Sequence, residues 1–150
     1  MASTHLDNPP IISTRLVNGS AKSVFEAFRD PEILAQWWGP KGFTCTFREF
    51  DFRPGGDWLF VMHGPDGVGY EITYNFIDIV PAGRIVLRNP QPTHEFQLTI
   101  TFEEEKGSTR VTWTMQFQSP QEAARVREFV IVANEQNLDC LEEQLTTLAA

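Results

Sequence analysis

Apolar and polar residues alternate strictly in two stretches late in the chain. Phe96, Leu98, Ile100 and Phe102 are interleaved with Glu95, Gln97, Thr99 and Thr101, and Val111, Trp113, Met115 and Phe117 with Arg110, Thr112, Thr114 and Gln116. Successive strand side chains point to opposite faces, so this pattern predicts strands with one buried and one wet face. Similar runs predict strands over 44–52, 57–63, 69–80, 84–88, 95–103 and 109–117, with another over 11–17 before Asn18-Gly19. The connections, among them Pro54-Gly55-Gly56, Gly64-Pro65-Asp66-Gly67 and Lys106-Gly107-Ser108, are short, which favours antiparallel neighbours. By parity Trp58, Phe60 and Met62 face inward, as do Tyr70, Ile72, Tyr74 and Phe76.

Elsewhere the period is helical. After Ser20, a cap residue, come Val24, Phe25, Ala27 and Phe28; Asp30-Pro31 closes that helix and opens a second, which Gly39-Pro40 stops after Trp37 or Trp38. Ser119-Pro120-Gln121-Glu122 has the composition of a capping box and predicts the start of a long final helix. Its apolar stripe reads Val126, Phe129, Val130, Ala133, Leu141 and Leu145, with Asn137 as a polar interruption. The predicted fold class is α+β: a curved antiparallel sheet of about seven strands around a long C-terminal helix. One domain of 150 residues is expected, with residues 1–9 as a flexible tail.

Charge narrows the partners. Twenty acidic against 12 basic residues give a net charge of -8, which disfavours nucleic acid and anionic membrane surfaces. No run is long and apolar enough for a membrane span, and the opening MASTHLDNPP lacks the pattern of a signal peptide, so a cytoplasmic location is expected. Cys45 and Cys140 form no CxxC pair and read as reduced thiols, with a disulfide left open.

Several strings also resemble a known family. Ser23-Val24-Phe25-Glu26-Ala27-Phe28, Asp30-Pro31-Glu32 and Trp37-Trp38-Gly39-Pro40 resemble the opening of the START-like (SRPBCC) family named after the activator of the heat-shock-protein-90 ATPase. Arg53-Pro54-Gly55-Gly56-Asp57-Trp58, Met62-His63-Gly64-Pro65-Asp66-Gly67 and Glu135-Gln136-Asn137-Leu138-Asp139-Cys140-Leu141 extend the resemblance over most of the chain. Many relatives carry Gly-Trp in the final helix where this chain has Ala133-Asn134. The resemblance implies the helix-grip fold and a stand-alone ligand-binding domain.

With that fold, the inward aromatics become a cavity wall. The candidate contacts for a small, largely hydrophobic ligand are Trp37, Trp38, Phe60, Met62, Tyr70, Tyr74, Phe96, Trp113, Met115, Phe129, Ala133 and Asn137. Adjacent helical positions point about 100° apart, so one of Trp37 and Trp38 is expected inside and the other at the rim. Asn137 needs a partner: a backbone carbonyl, a Tyr hydroxyl or a polar group of the ligand. His63 and His94 read as solvated loop residues, and Glu103-Glu104-Glu105 as a solvated hairpin. No metal spacing, phosphate loop or nucleophile with its base is visible, so neither a cofactor nor a catalytic residue is assigned. The leading function is a carrier, sensor or sequestering protein. The alternatives are a polyketide-cyclase or hydratase-type enzyme on the same fold, and a stress-response protein that contacts a chaperone; a homodimer is left open.

Overall fold

A computed structural model describes residues 8–149. Seven strands and three helices follow the predicted order: β1 (Ile11–Asn18), α1 (Ala21–Arg29), α2 (Pro31–Trp37), β2 (Thr44–Phe50), β3 (Asp57–His63), β4 (Gly69–Val80), β5 (Arg84–Asn89), β6 (Phe96–Glu105), β7 (Ser108–Phe117) and α3 (Pro120–Ala149). The strands form one antiparallel sheet in the order β1-β7-β6-β5-β4-β3-β2. Each connection from β2 to β7 joins neighbours, as the short turns require. In the β2–β3 turn, Gly56 is obligatory: a Cβ there would lie 2.0 Å from the carbonyl oxygen of Asp51. Of the predicted tail, residues 1–7 lie outside the described residues. Asn8 is tied down, its Nδ2 donating to the Phe117 carbonyl at 2.7 Å and its carbonyl accepting from Gln116 at 2.9 Å.

Local chemistry sets the helix ends. Ser20 Oγ accepts from the Ser23 N–H at 3.1 Å, and the Asp30 carboxylate accepts from the Glu32 N–H at 3.0 Å with Pro31 in the first turn. A second acceptor serves α1, the Glu104 carboxylate at 2.8 Å from the Ala21 N–H, so the acidic hairpin is partly structural rather than merely solvated. Ser119 Oγ accepts from the Glu122 N–H at 3.2 Å, half of the expected capping box. The other half is absent. Glu122 reaches Arg125 and His94 instead, because the Arg125 guanidinium, bonded to both carboxylate oxygens, outcompetes one backbone N–H.

Two β-bulges shape the sheet. One lies between Phe47 and Glu49 on β2, the other between Phe76 and Asp78 on β4. A bulge adds one residue, so the inward set on β2 passes from odd to even numbers: Cys45 and Phe47 pack against the core, then Phe50 and, past the strand end, Phe52. Helix α3 lies chiefly on β1 and β7 and touches α1 and α2. Its stripe is Ala123, Val126, Val130, Leu138 and Leu141, with Asn134 and Asn137 also buried on it. Phe129 does not belong to that stripe. It is 73% exposed, because the helix edge it occupies looks toward strands that α3 does not reach.

Arg15 on β1 pins the helix down. Its guanidinium meets Glu135 at 2.8 Å, Asp139 at 2.8 Å and Glu142 at 2.6 Å, three carboxylates spaced along one face of α3. Burial works against the charge of Arg15, yet the bonds to Glu135, Asp139 and Glu142 outweigh it and raise its pKa.

Candidate functional site: a cavity between sheet and final helix

Because α3 covers the β1 and β7 end of the sheet, the inner face of β3 and β4 stands away from it. The gap is a cavity of about 780 Å³. Its wall is built from β3 and β4 (Met62, Ile72, Tyr74), β6 and β7 (Phe96, Trp113, Met115), the segment after α2 (Trp38) and the inner edge of α3. Tyr70, Glu71, Gln91 and Phe129 are exposed and mark the mouth, while Trp113 and Asn137 are buried at the far side. Among the described residues no group of three or more His, Cys, Asp or Glu could hold a metal ion.

Ten of the twelve residues proposed from the sequence line this cavity: Trp38, Met62, Tyr70, Tyr74, Phe96, Trp113, Met115, Phe129, Ala133 and Asn137. Trp37 and Phe60 do not. Phe60 points inward as its parity requires, but Trp58, with ring centroids 4.7 Å away, together with Tyr74 and Phe47, covers it and makes it core. Trp37 packs edge-on to Phe28 at 4.8 Å and donates its indole N–H to the Ala27 carbonyl at 2.9 Å. The expectation of one Trp inside and one at the rim is also corrected, since both are buried. Trp38 lies past the helix end in extended backbone (φ −67°, ψ 129°), so the helical angle between neighbours does not apply. Its ring stacks on Trp113 at 5.2 Å.

Asn137 is buried, and its partner is a backbone donor: Oδ1 accepts from the Gly39 N–H at 3.1 Å. That bond joins the final helix to the loop after Trp38. Asn134, three residues earlier, also lines the cavity and is buried, with its Nδ2 lacking an acceptor. Two amides three residues apart on one helix face were the sequence signal for it, obscured because Asn134 falls outside the stripe drawn through Phe129 and Ala133. Tyr74 contributes a phenol whose pKa is pushed up, chiefly by burial and further by Cys45. It is therefore neutral at ordinary pH.

His94 is not a solvated loop histidine. Its ring lies edge-on to Phe96 and near Phe117, lines the cavity, and places Nδ1 2.5 Å from the Glu122 carboxylate. Arg125 bonds both oxygens of that carboxylate, at 2.8 and 2.7 Å. Arg125 first, and His94 second, hold the Glu122 pKa down at about 2. Nothing local in the sequence links His94 to Glu122, which the fold alone brings together. His63 is bonded to Thr46 at 2.8 Å and lies off the cavity wall. Cys45 and Cys140 are free thiols, and burial pushes Cys45 up to about 12, so it is an inert thiol that donates weakly to the Trp38 carbonyl at 3.3 Å.

This architecture has known relatives. The family model described as Activator of Hsp90 ATPase homolog 1-like protein matches residues 18–147. The chain belongs to that family. Solved structures of the same fold include a Nitrosomonas europaea protein (21% identity, TM-score 0.84, covering 95% of this chain and 96% of that one). Others are an Arthrobacter aurescens protein (20%, 0.84, 91% and 85%) and a Rhizobium loti protein (28%, 0.70, 91% and 96%). Among curated proteins none matches the chain. The family match and these neighbours show a START-like, helix-grip domain. No helix among the described residues is long and apolar enough to cross a membrane.

Proposed function

We propose that this family member binds a small, largely hydrophobic molecule in the cavity between β3, β4 and α3, as a carrier, sensor or sequestering protein. The observation that carries this reading is the cavity itself: about 780 Å³, walled mainly by aromatic and thioether side chains with a few buried polar atoms. Small-molecule sites have this size and composition. Met62 and Met115 add walls that adapt to an irregular guest.

The test is to fill the space from within. Ala133 on α3 lines the cavity, and Ala133→Trp should occupy part of it. The variant should bind an environment-sensitive naphthalene dye at least about tenfold more weakly while its thermal midpoint stays level or rises. Unchanged dye affinity would refute binding at this place. Native mass spectrometry of the freshly purified protein would show whether a small molecule accompanies it.

One observation favours a second reading, the cyclase- or hydratase-type enzyme. The His94–Glu122 pair in the cavity wall is the arrangement of an oriented acid–base group, with Nδ1 committed to Glu122 and Nε2 left for a substrate. In that case His94→Gln would abolish protein-dependent deuterium uptake at the carbon next to the carbonyl of a bound ketone. A wild-type protein giving no such uptake leaves binding as the function.

A further inference from the structure

Gly39 and Asn137 fix the chemistry of the cavity's far side. The Gly39 N–H is a donor, so the Asn137 atom facing it must be Oδ1, at 3.1 Å. The amide NH2 is thereby turned the other way. Asn137 is more than nine-tenths buried and lines the cavity, yet its Nδ2 meets no acceptor among the described residues. Two further unpartnered donors belong to the same wall: Nδ2 of Asn134, also more than nine-tenths buried, and Nε1 of Trp113. Those two atoms are themselves covered by neighbouring groups, so the donor left to a guest is the Asn137 amide, set in a largely apolar wall.

The charges of the wall restrict what can answer them. Among the described residues no Lys or Arg lines the cavity; Glu71 stands at the mouth, and the His94 ring in the wall has its Nδ1 paired with the Glu122 carboxylate. A carboxylate or phosphate would lose its hydration with no lysine or arginine to replace it, and a cation would meet the positive end of the amide donor. The adjoining surfaces are flat rings, the stacked pair Trp38 and Trp113 at 5.2 Å with Tyr74 and Phe96 beyond.

We infer that the ligands of this cavity are neutral aromatic molecules carrying a carbonyl-type acceptor, which accepts a hydrogen bond from Asn137 Nδ2 while the rings lie against Trp38 and Trp113. This rests on the binding reading above and adds the ligand class. Asn137 is then the residue that determines specificity, and the Gly39 N–H is what holds it in that role.

Three naphthalene probes separate the possibilities: prodan, a neutral ketone dye whose emission moves to the red when its carbonyl accepts a hydrogen bond; the parent dimethylaminonaphthalene without the ketone; and naphthoate. The protein should bind prodan at least about tenfold more tightly than either of the others. Asn137→Leu should erase the preference over the parent compound, leave affinity for the parent within about threefold, and shift bound prodan to the blue. Should Asn137→Leu fold poorly because the Gly39 N–H is stranded, Asn137→Asp keeps an oxygen for that N–H and removes the NH2. At about pH 8 it should lose the ketone preference in the same way. A ketone preference and emission that survive both substitutions, equal affinity of wild-type protein for prodan and its parent, or tightest binding of naphthoate would each overturn the inference while leaving the binding reading intact. Failure of all three probes to bind wild-type protein would instead bring down the binding reading, and the inference with it.

Discussion

Trp37 and Trp38 show how much a single peptide bond separates in this protein. Trp37 spends its indole N–H on the Ala27 carbonyl and its ring on Phe28, so its work is to lock α1 to α2. Trp38 turns out of the helix and becomes cavity wall. Trp37→Phe should therefore strand the Ala27 carbonyl and cost about 1–3 kcal/mol, read from the urea midpoint. Prodan affinity should not change, because Trp37 does not line the cavity. A drop in affinity without loss of stability would mean that the two rings have exchanged roles.

At the scale of the element, the first turn of α3 joins a helix start to the cavity mouth. Ser119→Ala removes the one side-chain acceptor of the Glu122 N–H and should lower stability by about 1 kcal/mol in equilibrium unfolding. Glu122 acts differently. Its folded pKa, about 2, lies below its ordinary 4.5, so the carboxylate's contribution is complete above pH 4.5 and fades as pH falls toward 2. Glu122→Gln should accordingly be less stable than wild type at and above pH 5, with the two stability curves converging as pH approaches 2. A constant offset at every pH would show that Glu122 matters for packing and not for charge.

The whole molecule depends on how α3 is held across the sheet. Arg15 ties β1 to Glu135, Asp139 and Glu142, and removing it leaves three carboxylates along one helix face, with Lys41 3.7 Å from Asp139. The carboxylates are 38–47% exposed, so each pair is discounted for solvent screening. Arg15→Met should cost about 1–2 kcal/mol in all. The loss should shrink in high salt, which screens both the attraction removed and the repulsion left. If α3 is thereby loosened, amide exchange should quicken along its C-terminal half first, where those carboxylates lie.

The alternation in β6 and β7, the caps at Ser20, Asp30 and Ser119, and the turn residues were sufficient to fix element order and strand limits to within two residues. These features are legible because they are local: a strand's two faces and a helix's first N–H groups are set by residues a few positions apart. Most of the cavity wall was legible for the same reason, since inward parity on β3, β4, β6 and β7 names it. Whether an inward ring meets empty space or another ring was not. Phe60 and Tyr74 share that parity, yet only Tyr74 reaches the cavity, because the bulges in β2 and β4 and the placement of α3 decide which part of the sheet is covered. The polar groups of the site were the least legible. Asn137 with Gly39 and His94 with Glu122 are 98 and 28 residues apart, and no local pattern announces a bond that exists only once the chain has closed on itself.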